Sequence, residues 1–266
     1  MDNTHFEYKK SLGQNFLKDT NLVKKIVSCV NLTKKDLVIE VGPGFGIMTN
    51  IISDEAKSVL AYEIDKRLED ELLLLADRKK NITFIFDDFL KRNIKDDIKD
   101  FKYNKLYFIS NLPYYITTPI ITSLIDQLVE VDAMVVMVQK EVGDRFCAKP
   151  QSKNYGSLTV FLNYYFKITK QFVIKKEAFV PSPKVDSVVV LFERKKELLN
   201  VADFNHFFKL VRDSFRFKRK TLRNNLKDYN FDVIEEVLKK FNKSSSSRAE
   251  ELPLDIFVEI SNRLVK

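Results

Sequence analysis

The chain of 266 residues has no tryptophan, only two histidines and only two cysteines. Cys29 and Cys147 form no CxxC pair, so a disulfide framework and a structural zinc site are both excluded. Cys29 lies in an apolar helical run from Leu22 to Val30, which predicts a small buried thiol. No apolar run approaches the roughly 18 residues of a membrane span. The opening Met1-Asp2-Asn3-Thr4-His5-Phe6 carries an early acid and no apolar segment, unlike a secretory leader. The expectation is a soluble protein of the cytoplasm, without metal.

What is present is a core. Hydrophobic residues make up 45% of the chain, with 22 Phe and 10 Tyr, which excludes a disordered protein. The length suits one large domain and a small one. Lys and Arg number 45 against 37 Asp and Glu, a net charge of +8 that suits a polyanionic partner.

Short β-branched runs at Leu37–Val41, Ser58–Tyr62, 82–86, 106–110 and 133–138 are apolar nearly throughout, as in strands buried on both faces of a parallel sheet. Helical patterns at 65–77 and 117–128 lie between them. This alternation predicts a doubly wound α/β sheet. Val180-Pro181-Ser182-Pro183 reads as a stiff extended stretch, and 185–192 as a strand completing the sheet. From Asp203 the periodicity is helical to the end, broken by four serines at 244–247. The expected division is 1–195 for the α/β domain and 196–266 for a small all-helical domain.

Val41-Gly42-Pro43-Gly44-Phe45-Gly46 closes the first strand. Glycines at alternate positions let a backbone turn tightly and approach a ligand, and a following helix offers free N–H groups. Dinucleotide sites use a wider G-x-G-x-x-G spacing. The tighter spacing points to S-adenosylmethionine, which has no pyrophosphate. Glu63 follows Gly42 by about twenty residues, where an acid can accept both ribose hydroxyls. Asp65 reads as a helix cap. After the third strand, Asp87-Asp88-Phe89-Leu90 offers a carboxylate to the cofactor's adenine amine; a family resemblance, not spacing, selects Asp88 and leaves Asp87 solvated.

The fourth strand runs into Asn111-Leu112-Pro113-Tyr114. This turn resembles the [DNS]-P-P-[YF] motif of amino-group methyltransferases. An adenine N6 is a poor nucleophile, because its lone pair is delocalised into the ring. An Asn oxygen and the adjoining main-chain carbonyl can accept its two N–H bonds and turn that lone pair outward. Proximity and alignment then carry the rate, without a strong general base. Pro113 stiffens the turn, and Tyr114 offers a face on which an extruded adenine stacks.

With these motifs the chain resembles the KsgA/RsmA family of small-subunit rRNA adenine dimethyltransferases. The likeness includes Lys10-Ser11-Leu12-Gly13-Gln14-Asn15-Phe16-Leu17, the glycine loop, Asn111 to Pro119, Gln139-Lys140-Glu141-Val142, and Phe179-Val180-Pro181-Ser182-Pro183-Lys184-Val185-Asp186-Ser187. The resemblance implies a Rossmann-like class I methyltransferase fold with a helical C-terminal domain. It implies dimethylation of two adjacent adenosines near the 3′ end of small-subunit rRNA, during ribosome biogenesis, by a single subunit acting on a pre-ribosomal particle. By the same resemblance Asn15 and Leu17 close over the cofactor. Gly42, Gly44 and Gly46 meet it, with Gly42 at its methionine part, and Asn111 touches both cofactor and target. Phe179 stacks on the target base opposite Tyr114.

The segment 209–227 holds eight basic residues and one acid, a surplus of seven out of the chain's net +8. Arg212, Arg216, Arg219, Arg223 and Lys227 recur at helical spacing, and with Lys220 they form the expected phosphate-binding track. Val211, Phe215, Leu222 and Leu226 would face the core. Two alternatives share much of this pattern. An Erm-type enzyme of large-subunit rRNA typically has Asn-Ile-Pro-Tyr at the acceptor turn. A nucleic-acid-binding relative without methyl transfer would not need that turn intact.

Overall fold

The computed structural model describes Lys9 and residues 13–265. The Lys10-Ser11-Leu12 part of the N-terminal motif lies outside the described residues. Among the described residues there are nine strands: β1 (Phe16–Leu17), β2 (Leu37–Val41), β3 (Ser58–Tyr62), β4 (Ile82–Ile85), β5 (Leu106–Asn111), β6 (Ala133–Gln139), β7 (Phe166–Ile174), β8 (Phe179–Val180) and β9 (Ser187–Arg194). Seven form one sheet in the order β4-β3-β2-β5-β6-β9-β7. Strands β4 to β6 run parallel, and β9 lies antiparallel to β6 from Ala133↔Glu193 to Gln139↔Ser187. All five side chains of β2 are buried, as are all in β6 except Gln139, so both faces of the sheet are covered. The doubly wound α/β class expected from the alternating runs is what the chain adopts.

The order reverses between β2 and β5, the place where open α/β sheets leave a crevice at their carboxyl ends. The β2–β5 pairing stops at Ile39↔Phe108. Beyond it the strands part, and the Ser110 hydroxyl donates a 2.6 Å bond to the Val41 carbonyl across the gap. That bond satisfies a buried carbonyl at the mouth of the crevice.

Helix ends follow local chemistry. Asp19 caps Thr20–Val27 by accepting the N–H groups of Asn21 and Leu22 at 2.9 and 3.2 Å. Glu69, Asp70 and Glu71 open Glu69–Lys79, and Arg78 and Lys79 close it, each sign matching the helix dipole. Cys29 falls just past the first of these helices and is half-buried against the core rather than enclosed.

The chain divides into two compact units. The first takes residues 1–143 and 169–193, and the second takes 144–168 and 194–266. The helical unit thus gathers the internal segment 144–168, including helix Ser157–Tyr165, besides the C-terminal residues. Tyr155 and Tyr164 from that segment are buried among Phe207, Leu210, Leu222, Ile234 and Phe257. Their hydroxyls donate to the Leu252 and Leu199 carbonyls. No helix among the described residues is long and apolar enough to cross a membrane.

Candidate active site

A cavity of about 220 Å³ opens at the carboxyl ends of β2, β3 and β5. Its floor is the glycine loop. Gly42, Gly44 and Gly46 all adopt left-handed φ, at 71°, 59° and 73°, a region costly for any side chain. Gly42 lies beside the Asn-Leu-Pro-Tyr turn: a Cβ there would meet Pro113 Cδ at 4.0 Å. At Gly44 a Cβ would strike the Phe16 ring at 2.5 Å, so the N-terminal strand packs directly on this glycine. Gly46 is different. It does not line the cavity; it precedes helix Ile47–Glu55 and faces Leu75 and Leu72. It packs behind the loop, outside the cavity wall where a cofactor contact is expected.

Glu63 is buried at 5% exposure and lines the cavity. Its two oxygens accept the N–H groups of Gly44 at 3.1 Å and Asp65 at 2.8 Å, so it braces the glycine loop. Burial raises its pKa, against those two bonds. Each carboxylate oxygen has a second lone pair, so a ligand hydroxyl can still bind. Asp65 does act as a cap, accepting from Arg67 N–H. It also holds the Arg67 guanidinium at 2.6 and 2.8 Å and the Gln14 amide at 2.7 Å, which together keep its pKa low, near 2. Gln14 thereby ties the N-terminal segment to the rim of the cavity.

Asp88 caps the short helix Phe89–Lys91 through one oxygen, which accepts Leu90 N–H at 3.0 Å; the other accepts nothing from the described residues. Asp87 is exposed and lies 3.6 Å from Arg92. Half-exposed Leu90 borders both acids, as an apolar neighbour for a planar ring should.

The acceptor turn closes the opposite wall. The Asn111 Nδ2 donates to the Asn15 carbonyl at 3.0 Å. Asn15 in turn folds its own amide back onto the Gly13 carbonyl at 3.1 Å. Leu112 is buried, its N–H bound to the Met137 carbonyl. Pro113 accepts from Ile116 N–H and the Thr117 hydroxyl, which starts helix Thr117–Asp126. The Tyr114 hydroxyl shares a 2.7 Å bond with Ser187, and burial raises its pKa. Asn15, Leu17, Gly42, Gly44, Glu63, Asp88 and the Asn111–Tyr114 turn therefore line one cavity.

Phe179 does not join them. It is 2% exposed, sits in β8 opposite Leu17 of β1, and belongs to the hydrophobic core. The enclosed ring does not line the cavity that Tyr114 lines, where a stacking role is expected of it.

Two features escaped the sequence reading. Ser187 ends the motif that starts at Phe179, and it fixes Tyr114 across 73 residues. Glu40, inside the apolar run of the first sheet strand, is the other. It is 2% exposed, lines the cavity, and its Oε2 has no hydrogen-bond partner. Burial, with Glu63 nearby, pushes its pKa up to about 8.

The basic segment is not one helical face. Helix Phe204–Ser214 stops, a loop follows, and Leu222–Asn225 is a separate short helix. The break has a physical cause: Asn225 donates to the Ser214 and Phe217 carbonyls at 2.7 and 3.2 Å and accepts Phe217 N–H at 3.1 Å, turning the chain at a helix terminus. Arg212, Arg216, Arg219, Lys220, Arg223 and Lys227 are all exposed, while Val211, Leu222 and Leu226 are buried and Phe215 is half-buried.

Comparison with known proteins agrees with this geometry. Residues 5–266 match the family model for ribosomal RNA adenine dimethylase. The chain is 42% identical to the ribosomal RNA small subunit methyltransferase A of Bacillus cytotoxicus, covering 98% of this chain and 92% of that protein. It is 39% identical to the Macrococcus caseolyticus protein of the same name, covering 100% and 93%. A dimethyladenosine transferase from Plasmodium falciparum superposes with a TM-score of 0.76 at 26% identity, covering 92% of this chain and 95% of that one. The 23S rRNA methyltransferase ErmE, at 24% identity and a TM-score of 0.72 over 95% and 100%, shares the fold. With an acceptor turn, a glycine loop and a full-length match all in agreement, the chain belongs to the ribosomal RNA adenine dimethylase family.

Proposed function

We propose that this protein transfers methyl groups from S-adenosylmethionine to the N6 amines of two adjacent adenosines near the 3′ end of small-subunit rRNA. It acts as a single subunit in the cytoplasm, on a pre-ribosomal small subunit. The chemistry of the cavity wall supports the cofactor. Glu63, Asp87 and Asp88 line it beside the buried, protonated Glu40, and among the described residues no Lys, Arg or His does. Such a wall disfavours a pyrophosphate and suits a ligand bearing a sulfonium and an ammonium. Glu63 would hold the ribose, and the unpaired Asp88 oxygen the adenine amine, with Leu90 along the ring. Gly42, Asn15 and Leu17 would border the methionine part.

When bound, the cofactor supplies an electrophilic methyl group on a sulfonium. The protein's part is to hold the amine. The observation that carries this reading is the Asn111 side chain. An amide donates from its nitrogen and accepts on its oxygen. With Nδ2 committed to the Asn15 carbonyl, Oδ1 is left as the acceptor for a substrate N–H. The adjoining main-chain carbonyl takes the second N–H. Pro113 stiffens the turn, and Tyr114, anchored by Ser187, offers a fixed ring for the extruded base. Alignment, more than acid–base chemistry, then lowers the barrier.

Relatives named for the small subunit match nearly end to end at about 40% identity, whereas the large-subunit enzyme shares the fold alone. The intact acceptor turn favours an enzyme over a purely binding relative. Asn111→Ala should lower kcat by roughly 100- to 1000-fold, the scale of losing one oriented hydrogen-bonding group, while calorimetry still detects S-adenosylmethionine. Turnover within a few-fold of the native protein would contradict the assignment.

A further inference from the structure

Phe217 is 55% exposed at the tip of the loop that follows helix Phe204–Ser214. A single exposed aromatic is ordinarily unremarked. Three observations set this one apart. First, the backbone on both sides is clamped: Asn225 accepts Phe217 N–H at 3.1 Å and donates to its carbonyl at 3.2 Å, and Lys220 N–H donates to the same carbonyl at 2.9 Å. The ring is held outward by a fixed main chain, which lowers the entropy lost on binding. Second, the Arg216 guanidinium sits 5.5 Å from the ring centroid, leaving a flat cationic pair at the surface. Third, exposed Lys218, Arg219 and Lys220 follow directly. A solvent-facing apolar ring surrounded by cations suits a ligand that carries anionic charge and flat apolar faces together.

We infer that Phe217 is a stacking platform for an unpaired RNA base, distinct from the residues that line the methylation cavity, with the surrounding basic residues holding the phosphates on either side. Single-stranded nucleic acid offers both features at once. A duplex offers the charge but buries its base faces, so the ring selects unpaired nucleotides or helix ends. Duplex contacts would be made by the cations alone. This inference rests on the proposed RNA-binding role of segment 209–227, and the test separates the two.

Full-length protein is titrated with a single-stranded RNA dodecamer and with heparin, a polyanion without bases, at several salt concentrations. Phe217→Ala should weaken RNA binding about 5- to 100-fold, the range for losing one stacked base. It should leave the slope of log K against log salt unchanged, because no charge is removed, and heparin affinity should not move. The chain has no tryptophan, so Phe217→Trp introduces a lone fluorophore at this point. Its emission should be quenched by the RNA and not by heparin. Arg219→Glu with Lys220→Glu should weaken both ligands and flatten the salt slope. If that double variant loses affinity while Phe217→Ala does not, and the Phe217→Trp emission is indifferent to RNA, the platform is refuted and the basic track stands. If the double variant also binds RNA as the native protein does, the RNA-binding reading of the segment falls and the platform with it.

Discussion

Glu40 lies at the end of β2 with one oxygen unpaired and its pKa pushed up to about 8 by burial. The native protein therefore keeps this proton between about 4.5, the ordinary value, and about 8, where the unfolded chain has released it. Across that window the native state binds more protons than the unfolded state, so stability falls as pH rises. Glu40→Gln cannot titrate. Denaturation midpoints of the variant relative to the native protein should shift in the variant's favour from about pH 5 to about pH 8. Parallel profiles would show that Glu40 is ionised in the fold. Nothing in the sequence discloses this carboxyl, since Val38-Ile39-Glu40-Val41 reads only as a strand and the shift arises from enclosure. Asn111 was legible because its neighbours Leu112, Pro113 and Tyr114 restrict what such a turn can be for. Its partner, the Asn15 carbonyl, lies 96 residues away and was not.

The strands of the sheet's centre were legible to within a residue or two, because burial on both faces leaves an uninterrupted apolar run. Strand β7 was missed for the converse reason. Exposed Lys167, Lys170 and Gln171 interrupt an outer strand whose other interior residues are only half-buried or exposed, and no apolar run results. The β1–β8 pair was missed because two-residue strands have no period, and its pairing of Leu17 with Phe179 is what buries that ring. Helical spacing in segment 209–227 persisted through a loop, since charges three and four apart do not by themselves require hydrogen bonds. The glycine loop yields a prediction at this scale. Gly46→Ala meets Leu75 at 2.7 Å and a φ of 73°, and should destabilise the fold by about 1–3 kcal/mol. Gly44→Ala meets the Phe16 ring at 2.5 Å in the cavity wall, and should chiefly weaken S-adenosylmethionine binding. Urea denaturation and calorimetry on both variants check this; a Gly46→Ala protein of native stability that fails to bind cofactor would reverse the two roles.

Across the whole molecule, charge is sorted by ligand. The cavity in the first unit is lined by four acidic residues, Glu40 among them protonated, and, among the described residues, by no cation, while the helical unit carries a segment with a surplus of seven positive charges. One chain thus carries an acidic cavity in one unit and a basic segment in the other. The net charge of +8 hides this separation, and composition alone could not reveal it. The division into units was only partly legible. Residues 144–168 pack with the C-terminal helices through Tyr155 and Tyr164, a pairing of distant segments that no shift in local composition marks. The central claim is that the Asn111 turn presents adenosine amines of the small subunit to a methyl donor. Its most direct test is mass spectrometry of rRNA from 30S particles isolated from cells without this protein, before and after incubation with the purified chain and S-adenosylmethionine. The account predicts dimethyladenosine appearing at two adjacent positions near the 3′ end of the small-subunit RNA, and none with Asn111→Ala. Unmodified small-subunit RNA after incubation, or methylation found only on large-subunit RNA supplied in parallel, would contradict it.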